Sequence, residues 1–440
     1  MRLIVNRRLA GVPGFLLLTL LALLAGPAAA QAQAALDPSF GSGGVARIPN
    51  PIGEGSFWAE DASDVAVQPD GKILVAAEGR GADTVYWAVV RFLPDGRLDP
   101  GFGVGGAAVL TETNPGDARG IALQPDGKIL VTGAAWCKEK CFAVARLTPD
   151  GQLDPSFGDG GIVRHDPIRR TGSYDVTVQR DERIVVVGDW FKPQDANDDS
   201  VACVMRLMPD GRLDRSFSRD GVVRVNHGYG DDLLIGVEMQ GRRIVAVGEG
   251  RVTGGGGSGF GAIRLRPNGS LDRSFGRRGR RVISFGRRRW ARPVSFDLAP
   301  GGKIVIAGNS GTDIYRWRPA VARLTRNGAL DRSFSGDGRV LTRIRPHGGE
   351  AGAVMGDARG GVLVAGNADT EVGAPVDTAV WAVARYTPGG RLDRSFAPGG
   401  IFRGAFPGAS AEISSLAPWG GGLLAAGNSG GALGLARFTY

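Results

Sequence analysis

Apolar and polar positions alternate along this chain in short bursts, and the bursts return in a fixed order. Asp64-Val65-Ala66-Val67-Gln68 alternates up to a Pro69-Asp70-Gly71 turn, after which Lys72-Ile73-Leu74-Val75-Ala76-Ala77 runs apolar. Alternation predicts a half-buried strand, and the unbroken run predicts a strand covered on both faces. A variable stretch leads to Tyr86-Trp87-Ala88-Val89-Val90-Arg91-Phe92, then to a second turn, Pro94-Asp95-Gly96, and on to Gly106-Ala107-Ala108-Val109-Leu110. Asp-Gly and Asn-Gly turns supply the positive φ that closes such hairpins without a Cβ clash. The pattern predicts four short antiparallel strands.

The unit repeats. The phrase beginning Leu36-Asp37-Pro38-Ser39-Phe40-Gly41 recurs at Leu98, Leu153, Leu213, Leu271, Leu330 and Leu392, at intervals of 55 to 62 residues. A fixed period marks a repeat architecture and overrides the two or three domains that 440 residues would otherwise suggest. Seven four-stranded units predict an all-β fold, a seven-bladed β-propeller occupying residues 36–440, in which radial repetition leaves only short sheet edges. A linear stack would need a capping unit with its own polar face, and neither end supplies one. The ends are complementary instead: the chain stops at Leu433-Gly434-Leu435-Ala436-Arg437-Phe438-Thr439-Tyr440, where the next LDPSFG would follow, and begins with that phrase and Gly44-Val45-Ala46-Arg47-Ile48. The N-terminal strand is therefore expected to complete the last blade from outside.

VQPDGKILVAG-type strands, ARLTPDGxLDxSFGxxG-type connections and a period near sixty resemble the delta-60 repeat family, bacterial β-propeller repeats without an established activity. The likeness spans nearly the whole mature chain. The units are also similar to NHL-type blades, which implies that the DVAVQ-type strand is innermost and the GVVRV-type strand outermost. Neither resemblance brings a catalytic motif with it.

Residues 1–30 read as a secretory signal peptide, with Arg2, Arg7 and Arg8 ahead of an apolar run from Phe15 to Leu24 and Ala28-Ala29-Ala30 for cleavage. That run is too short to span a bilayer. Export to the medium or the cell envelope, as a monomer with no membrane span after cleavage, is the expectation. Composition agrees with a globular chain: 42% of residues are apolar, and 72 Gly and 25 Pro are periodic rather than clustered. The charge of +9 falls to +6 without the leader's three Arg, which names no specific nucleic acid partner.

Residues present in every unit are structural before they are functional. Arg91, Arg146, Arg206, Arg264, Arg323, Arg385 and Arg437 end the third strands, and Asp37, Asp99, Asp154, Asp214, Asp272, Asp331 and Asp393 follow in the LD pairs. One turn apart, they are expected to form bidentate, charge-assisted pairs. The Phe of each phrase, from Phe40 and Phe102 through Phe217 to Phe396, is expected to plug the space between sheets.

Function should lie where the units differ, in loops on the face opposite the PDG turns: 78–85, 189–200, 249–259, 309–317 and 367–378. Aligned inner strands put Asp61, Asp117, Asp232 and Glu350 at one position, with Glu412 one place away, as a ring of carboxylates for a divalent cation such as calcium; capping of turns by solvated acids is the plainer account. The Arg-rich segment 277–292, with Arg287, Arg288, Arg289 and Trp290 at its centre, suits phosphate-rich or sulfated polymers. Cys137 and Cys141 are a candidate disulfide, whereas Cys203 aligns with strand residues and reads as a buried free thiol. His165, His227 and His347 lack the spacing of metal ligands. We expect an exported, non-catalytic binding or scaffolding propeller for a protein, a glycan or a cell-envelope polymer, the alternatives being a propeller hydrolase or lyase with a divalent cation at the channel mouth and anionic-polymer binding through the Arg-rich segment 277–292.

Overall fold

The structure, a computed structural model, describes residues 33–440 apart from 49–57, 81–84, 114–115, 138–139, 166–170, 192–199, 226–232, 253–256, 313–316, 345–347, 369–379 and 407–410. Residues 1–32, on which the expected signal peptide falls, Asp232, His227 and His347 lie outside the described residues, as do parts of the five variable loops.

Seven antiparallel sheets stand around one axis. Six contain four consecutive strands each: blade one runs from Trp58 to Leu110, blade two from Asp117 to His165, blade three from Thr171 to Val225, blade four from Leu234 to Ile283, blade five from Trp290 to Leu341 and blade six from Ala351 to Gly404. Blade seven takes Ala411–Trp419, Gly422–Ser429 and Leu433–Thr439 from the C-terminus and its outer strand, Val45–Ile48, from the N-terminus. Ala35 and Leu36 continue that pairing beside Thr439 and Phe438. The first strand of each blade packs on the first strands of its neighbours all the way round, blade seven against blade one, which places those strands innermost.

The apolar runs explain the layering. Second and third strands have sheet neighbours on both edges and other blades on both faces, and residues such as Ile73 to Ala77 and Ile244 to Val247 are fully buried. The phrase Phe then fills the wedge between blades: Phe40, Phe102, Phe157, Phe217, Phe275 and Phe334 have no exposed surface. Each ring lies against a turn glycine of the following unit. Gly96, at φ 88°, would bring a Cβ to within 3.0 Å of Phe40, so both the backbone and the space there call for glycine.

The recurrent arginines stitch one blade to the next. Arg91, Arg146, Arg206, Arg264, Arg323 and Arg437 pair with Asp99, Asp154, Asp214, Asp272, Asp331 and Asp37, respectively. Their guanidinium groups stack on Phe102, Phe157, Phe217, Phe275, Phe334 and Phe40. They also donate to turn carbonyls of the following blade, Arg264 to Arg326 at 2.6 Å and Arg437 to Pro94 at 2.6 Å. The expected bidentate fork does not form. Only Oδ2 of each Asp meets the arginine, because in most units Oδ1 is already held by the N–H and hydroxyl of the serine two residues on, as in Asp272 with Ser274. Arg385 departs further, joining Asp357 at 2.7 Å and Asp393 at 3.2 Å.

Candidate functional site

The axis of the ring is a channel, and the sequence shapes its wall through one repeated irregularity. Every inner strand carries a β-bulge at an equivalent place, so the pairing register skips Ser63, Arg119, Tyr174, Ile235, Val294, Gly352 and Ser414 in turn. A bulge re-aims the side chains beside it, here into the lumen. The resulting cavity has a volume of about 430 Å³ and is lined by Arg119, Tyr174, Asp175, Glu238, Phe296 and Asp297 among others. That is within the ~300–1,000 Å³ typical of ligand pockets.

Four carboxyl groups project into this space. Asp64 ties three blades together, accepting hydrogen bonds from Val65 N at 2.8 Å, Ile121 N at 3.0 Å and Ser415 Oγ at 2.9 Å. Asp175 accepts from Val176 N and from Val237 N in the next blade, both at 2.7 Å. Asp297 accepts from Gly356 N at 2.6 Å. Burial outweighs these bonds. It pushes Asp64 and Asp297 above the usual carboxylate range. Burial, with Asp64 nearby, raises Asp175 to about 7, and burial, with Asp297 and Asp175 nearby, raises Glu238 to about 9. At neutral pH Glu238 is a carboxylic acid that can donate as well as accept.

Arg119 of blade two and Tyr174 of blade three face each other in the channel, the guanidinium 4.2 Å from the ring centroid. Asp117 holds Arg119 at 2.6 Å. Burial raises the tyrosine hydroxyl, with the charge of Asp189 adding to the rise. The lumen thus combines a cation, an aromatic face and carboxyl groups whose acidity burial weakens.

The acids expected at the mouth are arranged differently from the sequence alignment. Asp61, Asp117, Gly172, Arg292, Glu350 and Glu412 each stand three residues before the residue that follows the bulge. In blade four that place belongs to Leu233, whose carbonyl accepts from Glu249 N as that of Glu350 accepts from Asn367 N. Glu412 is therefore in register with Asp61, Asp117 and Glu350, whereas Asp232 lies outside the described residues. Asp61 bonds to the Asn428 amide. Burial, Glu350 and Asp61 together raise Glu412. Among the described residues no three of His, Cys, Asp and Glu come close enough to hold a metal ion.

The other candidates are dispersed. His165 ends the outer strand of blade two. Cys137 and Cys141 are joined by a disulfide, their Cα atoms 6.1 Å apart. Cys203 is a buried thiol that burial pushes up to about 12. Arg280 and Arg281 lie on the outer strand of blade four, and Trp290 is 54% exposed where blade five begins. Sequence reading missed Asp64, Asp175, Glu238, Asp297, Arg119 and Tyr174. The available signal was an acid among the apolar residues just before a blade's first turn, as at Asp64, Asp175, Glu238 and Asp297.

Five segments, residues 68–102, 124–157, 179–217, 242–275 and 300–334, match the family described as a domain of unknown function (DUF5122) beta-propeller. No curated protein matches the chain. Similar solved structures include virginiamycin B lyase from Staphylococcus aureus, at 11% identity and a TM-score of 0.49, covering 90% of this chain and 99% of that one. Polysaccharide lyase Uly1 is similar at 8% identity and a TM-score of 0.46, over 86% of this chain and 89% of its own. Penicillium chrysogenum α-L-arabinanase complexed with arabinobiose is similar at 9% identity and a TM-score of 0.42, over 87% and 97%. The repeating unit of this chain is thus similar to that of an uncharacterised β-propeller family.

Proposed function

We propose that this protein is an exported binding propeller, built of delta-60-type repeats, that takes a small polar, uncharged group of its partner into the central channel beside Arg119 and Tyr174. The observation that carries this reading is where the repeat breaks down. At the bulge, Arg119 and Tyr174 stand where other blades have Ser, Ile, Val or Gly, and two positions after the Asp64 level, Glu238 and Asp297 stand where others have Ala, Thr or Met. Residues that vary inside a uniform frame are free to serve a ligand. Glu238, held neutral by burial, offers both a donor and an acceptor, as the hydroxyls of a sugar require, and Tyr174 adds an aromatic face.

The test is a calorimetric screen of neutral oligosaccharides and short peptides against the mature chain, repeated on Arg119→Ala and Tyr174→Ala. Binding lost in both variants, with an unchanged melting temperature, supports the reading. A ligand held equally well by both removes it.

A second reading, a hydrolase or lyase working with a divalent cation, is favoured by Asp175, whose acidity near 7 suits proton transfer at neutral pH. Such a cation would need ligands beyond the described acids at the mouth, since no three of those come together. Melting after EDTA, then with calcium, magnesium, manganese or zinc, separates the two. A rise of several degrees with one cation supports this second reading, and none with any cation discards its metal.

A further inference from the structure

Charge is divided unevenly around the ring. Residues 233–344, which contain blades four and five, hold 22 Arg and Lys against 7 Asp and Glu, whereas the rest of 33–440 holds 28 against 37. The basic side is focused on the outer wall of blade four. Its edge strand, Arg280–Ile283, begins just after the exposed Arg277 and Arg278 at the PDG face and ends a few residues before the exposed Arg287 and Arg288 at the other. The two flanking blades neutralise this place: Asp220 pairs with Arg224 at 2.6 Å in blade three, and Asp337 with Arg339 at 2.9 Å in blade five. In blade four Arg278 occupies the position of those two acids. Among the described residues, none of Arg277, Arg278, Arg281, Arg287, Arg288 and Arg289 forms an ion pair.

Backbone conformation adds an independent observation. Arg278 has φ 56°, at a position where four other blades place Gly43, Gly105, Gly160 and Gly399 with φ 62°, 62°, 58° and 69°. A Cβ on any of those glycines would meet nothing within 4 Å, so the Arg278 side chain leaves the turn into open space. Arg288 is likewise left-handed, at φ 55°. Strained backbone that persists where glycine would serve suggests that the side chain is needed. Trp290 stands next to this cluster with half of its surface open.

We propose that the outer wall of blade four is a docking surface for an acidic polysaccharide, a chain carrying sulfate or carboxylate groups. The chain starts on the blade edge at Arg277 and Arg278 and turns over the opposite face of blade four, where Arg287, Arg288 and Arg289 lead inward to the first strand of blade five. Arginine forks match such groups, and released counterions make the attraction strongly salt-dependent. The Trp290 face supports a sugar ring. This site is separate from the channel, so either can fail without the other.

The test measures binding of the mature chain to a heparin-derived octasaccharide, an oligogalacturonate and a single-stranded oligonucleotide of similar length over a range of salt. The variant Arg278→Gly/Arg287→Ser/Arg288→Gly removes three charges and relieves two left-handed positions, so it should melt no lower than the parent. It should bind the acidic saccharides about tenfold or more weakly at 0.1 M salt, with a shallower salt dependence. The control Arg391→Ser/Arg394→Ser, on blade six, should change little. Trp290→Ala should weaken saccharide binding without altering the salt slope or oligonucleotide binding. Whichever of the sulfated and carboxylated chains binds more tightly identifies the anionic group. Equal loss in the control overturns the proposal, as does Trp290→Ala leaving the saccharides unaffected, an outcome that leaves only non-selective attraction to polyanions.

Discussion

Arg437 and Asp37, 400 residues apart in sequence, meet at 2.9 Å between Nε and Oδ2. The same contact is local in five other units, where Arg and Asp are eight residues apart. The ring is therefore closed by an ordinary repeat contact made between the two ends of the chain. Ser39 Oγ and the Pro94 carbonyl complete it, as equivalent groups do elsewhere.

Deleting residues 33–48 should lower the melting temperature by many degrees and promote self-association. It removes the outer strand of blade seven and Phe40 and leaves the edge of Leu433–Thr439 unpaired, and bare edges recruit other chains. Differential scanning calorimetry and light scattering on the truncated chain read both effects. A monomer with the parental melt would show that the clasp contributes nothing.

Asp272→Ala should be among the more damaging single changes in the ring, at about 3–5 kcal/mol, because it leaves Arg264, 2% exposed, without its counter-charge. Burial by itself would raise the Asp272 carboxyl, but Ser274 and the charges of Arg264 and Arg243 hold it at about 2. Its folded pKa lies below the ordinary carboxylate value near 4, so its contribution is complete above pH ~4 and disappears as pH falls toward 2. Urea unfolding at pH 7 and pH 2.5 should show a large difference between Asp272→Ala and parent at the first and a smaller one at the second.

Phe217→Ala should cost about 3–5 kcal/mol, since the ring is wholly buried between blades three and four and is stacked under Arg206. The Cβ of a residue at Gly269 would lie about 3.1 Å from that ring, so the surrounding turn is too closely packed to collapse into the void. A thermal melt within a degree of the parent would contradict the plug.

The frame was legible because seven copies average out local ambiguity: Arg264, Asp272 and Phe275 recur with their equivalents at fixed offsets, and the structure joins them in one cluster. The channel was less legible. Each inner strand gains one residue at its bulge, and the bulged residues, from Ser63 and Arg119 to Gly352 and Ser414, share no residue type that marks the place. Arg119 and Tyr174 sit on the bulges themselves, where period-two counting changes phase, so their shared lumen appears only once blades two and three are side by side.

Glu238→Gln should stabilise the protein at neutral and mildly alkaline pH. In the unfolded chain Glu238 ionises near its ordinary value of about 4, whereas in the folded ring burial, with Asp297 and Asp175 nearby, delays ionisation to about 9. Between those limits the folded state binds more protons than the unfolded one, so stability falls as pH rises, and the loss is complete only above the folded value. Asp175 adds a similar fall that ends near 7. A neutral amide removes the Glu238 contribution. The melting temperature of Glu238→Gln should match the parent at pH 4, exceed it by a few degrees at pH 8, and show a flatter dependence between. A parallel pair of curves, offset by the same amount at both values, would mean that Glu238 ionises in the channel as freely as it does in water.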